Sequence, residues 1–380
     1  MNIFKRKILA LSTAFIATAI APMLFRTINA DTIEYDVWVN GEQFTSEKRV
    51  IQCGEGTATF AGDVSSGGTI LLEDAQITES YEYQPNYEAA IYSGIPNLTI
   101  QIIGDNSIIP TSQYADGIDA AGGCYVVIAG SEDDKLDLKN TYYGTYIGSY
   151  DVEGGDLMIT GGVNVNIENT SAAGIWVNRD IDLANCTVTI NREAPYYNGM
   201  VSNIGGTISF QYADVTINNT QAAIHMGNSD DSEHKIVMLS GNVRLNSSES
   251  YGIKVEPDGS TGNINGEITI NGGTLQITSA SGGTNVPLGK ITFANGIGYT
   301  KGLNLSQSGS VNVGEVSNVE IIKGDMNKDT FVNSTDAAMV LDKYKNGNAT
   351  AEDFERGNMN GDTVLNATDA AMILDIYKNS

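Results

Sequence analysis

The chain has 380 residues, a formal net charge of −25 and 42 glycines. Its length fits one or two domains, and its acidity argues against nucleic acid or an anionic membrane surface as a partner. Three scattered cysteines, Cys53, Cys124 and Cys186, are too few for a disulfide framework or a zinc site and read as small buried hydrophobes.

The first stretch, 1–30, reads as an export signal. Lys5-Arg6-Lys7 is its basic region, 8–24 its apolar core, and Ile28-Asn29-Ala30 a cleavage site before Asp31. Ser12, Thr13, Thr18 and Pro22 interrupt that core, which argues against a membrane anchor. A secreted protein without membrane insertion is expected. No Cys follows the cleavage point and no apolar tail closes the chain, so attachment to a cell is assigned to the C-terminal stretch.

After it, Val37-Trp38-Val39-Asn40-Gly41-Glu42-Gln43-Phe44 predicts an Asn-Gly hairpin with a buried Trp, suited to capping the domain over 31–60. A repeat follows. Its units begin Leu157-Met-Ile159, Ile181-Asp-Leu183, Ile208-Ser-Phe210, Ile236-Val-Met238 and Ile268-Thr-Ile270. The second segments include Val165-Asn-Ile167, Val188-Thr-Ile190, Val215-Thr-Ile217, Val243-Arg-Leu245 and Leu275-Gln-Ile277. Third segments follow Gly174, Gly199, Ala223 and Gly252. Looser early units contain Ile70-Leu-Leu72 with Ile77, Leu98-Thr-Ile100 and Val126-Val-Ile128. Alternation of period two means strands with one buried face, and the Gly- and Asn-rich separators are turns. No amphipathic helix intervenes, which excludes a βαβ sheet. Three short strands per turn, stacked turn on turn, predict a three-sided parallel β-helix over 31–322. Asn191, Asn218 and Asn246 occupy one register and predict a ladder of amides between turns.

No catalytic constellation emerges from the repeat. Its cations, Lys135, Lys139, Arg179, Arg192, Lys235, Arg244 and Lys254, are sparse and form no evident cluster. Asp230-Asp231 with His234 is the passable acidic candidate and reads better as a turn. Tyrosines gather at 81, 83 and 87, at 142, 143, 146 and 150, and at 196 and 197; exposed rings of this kind stack on the C–H faces of sugars, and otherwise pack on strands.

The last stretch is different in kind. Asp325, Asn327, Asp329, Asn333 and Asp336 place side-chain oxygens at positions 1, 3, 5, 9 and 12 of a loop, with Phe331 lending a backbone carbonyl at position 7. That is the ligand spacing of a twelve-residue EF-hand calcium loop. Asn358, Asn360, Asp362, Val364, Asn366 and Asp369 repeat it, and both copies lead into nearly the same Ala-Ala-Met-x-Leu-Asp-x-Tyr helix. Met339, Val340 and Tyr344, matched by Met372, Ile373 and Tyr377, predict an apolar stripe on each helix.

The duplicated unit resembles a type I dockerin, the module that plugs secreted proteins into cellulosome scaffoldins. The resemblance covers 323–380 and implies a small all-α module, two calcium ions and a cohesin partner. It further implies cohesin contacts at Ser334, Thr335, Asp342 and Lys343 and at Ala367, Thr368, Asp375 and Ile376. Position 6, usually Gly, is here Thr330 and Thr363. The stacked coils resemble, at the level of fold, the pectin-lyase-like right-handed parallel β-helices, which implies binding or processing of plant cell-wall polysaccharide. A lyase or glycoside hydrolase and a non-catalytic adhesive spacer are the alternatives.

Overall fold

The computed structural model describes residues 32–293 and 323–379, except 64, 121–123, 149–153, 194, 228–233, 257–265, 271–273, 287–290 and 328–331. The expected export signal therefore lies outside the described residues. Among the described residues no helix is long and apolar enough to cross a membrane.

The domain opens with antiparallel strands. Glu34–Val39 and Glu42–Thr45 pair across Asn40-Gly41, whose φ values of +52° and +75° are those of the tight hairpin turn that Asn-Gly favours. Val37, Val39 and Phe44 point inward and are fully buried. Trp38 does not join them. Alternation turns it to the opposite face, where it is half-buried and stacks on Tyr81 at 3.7 Å between ring centroids. Two more antiparallel pairings, of Val50–Cys53 with Gly56–Asp63 and of that strand with Gly67–Glu73, deliver the chain to its first parallel partner, Asn97–Ile103.

From there the chain winds as a β-solenoid of about seven turns over residues 68–284. Sheet 1 runs from Tyr87–Ser93 to Gly282–Thr284, sheet 2 from Gln76–Ile77 to Thr274–Ser279, and sheet 3 from Gly67–Glu73 to Ile291–Phe293. Each rung contributes one strand to each sheet, in parallel register, so like residues stack. In sheet 3 the column is Leu98, Val126, Leu157, Ile181, Ile208, Ile236 and Ile268. In sheet 2 it is Leu138, Ile167, Ile190, Ile217, Leu245 and Ile277. Burial of each such side chain contributes about 1.5–3 kcal/mol, and no single rung could bury its own.

The amide ladder is present: Asn218 Nδ2 donates to Asn191 Oδ1 at 2.7 Å, and Asn246 Nδ2 to Asn218 Oδ1 at 2.5 Å. Cys53, Cys124 and Cys186 are free and buried, and burial pushes their thiols up to about 11, 11 and 12. Two sheet 1 strands, Ala115–Ala120 and Thr145–Ile147, carry Asp116, Asp119 and Thr145 buried among them. Asp116 and Thr145 share the inward parity of Ile118 and Ile147 and break the apolar alternation, so the early rungs look looser in sequence than they are in space.

Candidate functional site

The C-terminal module consists of α1 (Ser334–Asn346), α2 (Ala351–Gly357) and α3 (Ala367–Asn379). Each of the two homologous helices starts from a loop that is closed in the same way. The carboxylate of Asp336 accepts backbone N–H bonds from Met326 (2.8 Å), Asn327 (3.1 Å) and Asn333 (2.9 Å). That of Asp369 accepts them from Met359 (2.8 Å), Asn360 (3.3 Å) and Asn366 (2.8 Å). In both copies the donors are loop positions 2, 3 and 9, so position 12 draws the loop into a ring beneath the helix start. Both carboxylates are fully buried, and Asp325 is buried too.

Position 9 has a second task. Asn333 Oδ1 accepts from the Thr335 N–H, and Asn366 Oδ1 from that of Thr368, each at 2.7 Å, capping the helix that follows. In the second loop Asn358 Oδ1 accepts from Gly361 N–H, Asn360 Oδ1 from Asp362 N–H and Asp362 Oδ1 from Val364 N–H. The Val364 carbonyl accepts from the Asn366 amide at 3.1 Å. With Thr363 at position 6, the left-handed residue of this loop is Gly361 at position 4 (φ +73°). In the first loop, Asp329 and Phe331 lie outside the described residues.

The donors are hard oxygens of carboxylates, amides and a peptide carbonyl, gathered on closed loops, and this set fits a calcium ion. Among the described residues no group of three or more His, Cys, Asp or Glu converges as a metal cluster. The second loop has two carboxylates, Asp362 and Asp369, where the first has Asp325, Asp329 and Asp336. Ligand charge raises calcium affinity, so calorimetric titration is expected to resolve a stronger and a weaker site, with the weaker assigned to the second loop. Two equal sites would contradict the charge argument.

Between the loops the core is small: Met326, Ala337, Val340, Leu365, Ala370 and Ile373, with Met339 and Phe354 packed against it. The expected stripes are corrected by this core. Val340 and Ile373 are fully buried, but Tyr344, Tyr377 and Met372 are exposed. Contact is made by the first turns, through Ala337 with Val340 and Ala370 with Ile373, and a ring one turn further on overshoots the core.

Residues 323–375 match the Dockerin type I domain family. The C-terminal module is a type I dockerin. Neither the search of curated proteins nor that of solved structures gave a match for the chain. Dockerin domains occur in secreted cellulosome components, and a dockerin implies a cohesin partner.

On the dockerin surface Ser334, Thr335, Asp342, Ala367, Thr368 and Asp375 are exposed, and Lys343 and Ile376 are half-buried. Leu341 with Tyr344, and Leu374 with Tyr377, stand exposed at matching positions of the two helices. Lys343 is not equivalent to Ile376 in its contacts, because its ammonium pairs with Asp353 of α2 at 2.9 Å. Helix α2 is absent from the sequence reading. Its signal is Thr350-Ala-Glu-Asp353, a capping box in which Thr350 and Asp353 bond each other's backbone N–H.

In the solenoid the repeat's cations are mostly tied up in local pairs, and Lys135 and Lys139 share Asp137. Lys135 pairs with Asp137, Lys139 with Glu168, and Lys254 with Glu256. The Arg192 guanidinium is buried on the Thr170 hydroxyl and the Ala172 carbonyl. His234 alternates with Ile236 and Met238 on the inward face of its strand and is buried, so it forms no outer acid site. Asp230 and Asp231 lie outside the described residues.

Proposed function

We propose that the protein is a secreted cellulosome component whose dockerin binds a cohesin in a calcium-dependent way, with one ion in each loop. The β-solenoid is the cargo, and it binds or processes plant cell-wall polysaccharide. The observation that carries the docking half is the repeated clasp at Asp336 and Asp369, which builds two like helix starts on like oxygen loops. Exposure of Ser334 and Thr335, with Ala367 and Thr368, at those starts supports assigning them to the cohesin contact, joined by Asp342, Lys343, Asp375 and Ile376 further along each helix.

The cargo half rests on tyrosine-rich outer strands and on the local pairing of the repeat's cations, which favours binding over lyase chemistry. Two assays on the full chain test it. Immobilised cohesin is expected to retain the protein in calcium, and native gels containing cell-wall glycan are expected to retard it without turnover. Unsaturated product from polygalacturonate with calcium would establish a lyase instead. A chain held by cohesin but retarded by no glycan would be a spacer.

A further inference from the structure

The outer face of sheet 1 carries a line of aromatic rings that the outer face of sheet 2 lacks. One register line crosses sheet 1 through Trp38, Tyr92, Asp119, Tyr146 and Trp176, all at positions between inward residues. Neighbouring rungs lie about 4.8 Å apart, so rings on this line stack. Tyr146 and Trp176 do so at 4.4 Å, 15° from parallel. The corresponding outer line of sheet 2 reads Ser107, Asp137, Asn166, Thr189, Thr216, Arg244 and Gln276, with no ring.

Asp119 interrupts the aromatic line, and the gap is filled from outside the rung. Tyr83 lies on the strand Tyr81–Gln84, which pairs antiparallel with Tyr87–Ser93. Its ring stacks on Tyr92 at 4.6 Å and its hydroxyl donates to Asp119 Oδ2. Tyr87, at the tip of the same hairpin, is 59% exposed. The other carboxylate oxygen, Asp119 Oδ1, has no hydrogen-bond partner among the described residues although the residue is 1% exposed. Asp116, 6% exposed, accepts the Tyr143 N–H at 3.0 Å.

A structural aromatic ladder needs no such group. Burying a carboxyl with one bare oxygen costs free energy that a ring at the same place would not. Trp176 is itself buried, so the rings open to a ligand are those of half-buried Tyr92 and Tyr146 and of exposed Tyr87, and they suit a ligand that presents apolar C–H faces to rings and a hydroxyl to an acceptor. The face does not suit a polyanion: no Lys or Arg stands on the line from Trp38 to Trp176, and the two buried acids lie beside it.

We propose that this face is a binding site for a neutral pyranose glycan lying across the rungs, with Asp119 Oδ1 accepting a sugar hydroxyl and Tyr83 as a movable cover. The proposal rests on the polysaccharide-binding reading and adds the place and the charge class of the ligand. Tyr83 holds Asp119 Oδ2 while it is seated, and in this proposal the sugar hydroxyl reaches Oδ1 as the hairpin tip lifts. Tyr87 and Tyr92 then flank the sugar.

The test is affinity electrophoresis of the full chain in gels of hydroxyethyl cellulose, xylan or polygalacturonate, run beside thermal melts. The wild type is expected to be retarded by at least one neutral gel and less by polygalacturonate. Asp119→Asn keeps the shape and removes the charge. It is expected to weaken retention about tenfold or more, the loss for a hydrogen bond to a charged group, with melting at pH 8 unchanged or higher. Asp137→Asn, on the outer face of sheet 2, should bind as wild type. Asp119→Asn that binds normally while the wild type is retarded overturns this site and leaves the polysaccharide reading standing. Stronger retention by polygalacturonate overturns the neutral class, and no retardation of the wild type in any gel overturns both.

Discussion

Excess EDTA is expected to unfold the dockerin within the full chain and to abolish its capture by immobilised cohesin, while leaving the solenoid folded. The buried core, six residues among those described, is too small to offset the ordering of three helices, two of them 13 residues long and marginal in isolation. Ion binding closes the gap: a site held at a hundredfold excess over its dissociation constant adds about 2.7 kcal/mol. That is comparable with the whole stability of so small a module, at roughly 0.05–0.15 kcal/mol per residue. Hydrogen exchange reads this directly. Amide protection in α1 and α3 should vanish in EDTA and return with added calcium, while the strands of sheets 1 to 3 keep theirs. Full protection of α1 and α3 in chelator would remove calcium from the account of the fold.

The largest effect on the solenoid is expected from Gly199→Val. Gly199 precedes the sheet 1 strand Met200–Ser202, and a Cβ there would lie 2.4 Å from Ile217 Cγ2 and 2.6 Å from the Ala223 carbonyl oxygen. Gly174 meets Ile190 on the next rung in the same way, and Gly144 meets Ile167. At each of these turns the glycine leaves the space that the following rung's isoleucine fills. A carbonyl bonded into the ladder cannot retreat, because the Met200 N–H donates to it at 2.9 Å. Overpacking of this kind costs about 1–3 kcal/mol, and a rigid neighbour puts it at the upper end or beyond. The urea midpoint of the solenoid should fall accordingly. The next rung supplies a control, since Ala223 stands in the same register as Gly199: Ala223→Gly should shift the midpoint by far less. Equal midpoints for Gly199→Val and wild type would mean that the rungs can slide apart.

Much of the molecule is legible in one dimension because its order is local. Alternation of period two gives the strands; the recurrence of like segments, rung after rung, gives their stacking, down to the amide pairs of Asn191, Asn218 and Asn246. The twelve-residue loops are equally local, since every oxygen that shapes one belongs to a single short segment. Less local features are harder to see. Helix α2 is brief, and its capping box, Thr350 to Asp353, is its main mark. Tyr344 and Tyr377 fall near the helical period of a buried stripe, yet the core ends before it reaches them.

Sequence by itself determined a coiled stack of strands followed by twin oxygen loops, because backbone periodicity and ligand spacing act between near neighbours. Only the tertiary structure decided that Tyr83, Asp116 and Asp119 meet under a line of rings. Those residues come from a hairpin and a separate rung, and alternation along a strand says which face a residue is on but not what lies over it. The winding of the solenoid brings them onto one face.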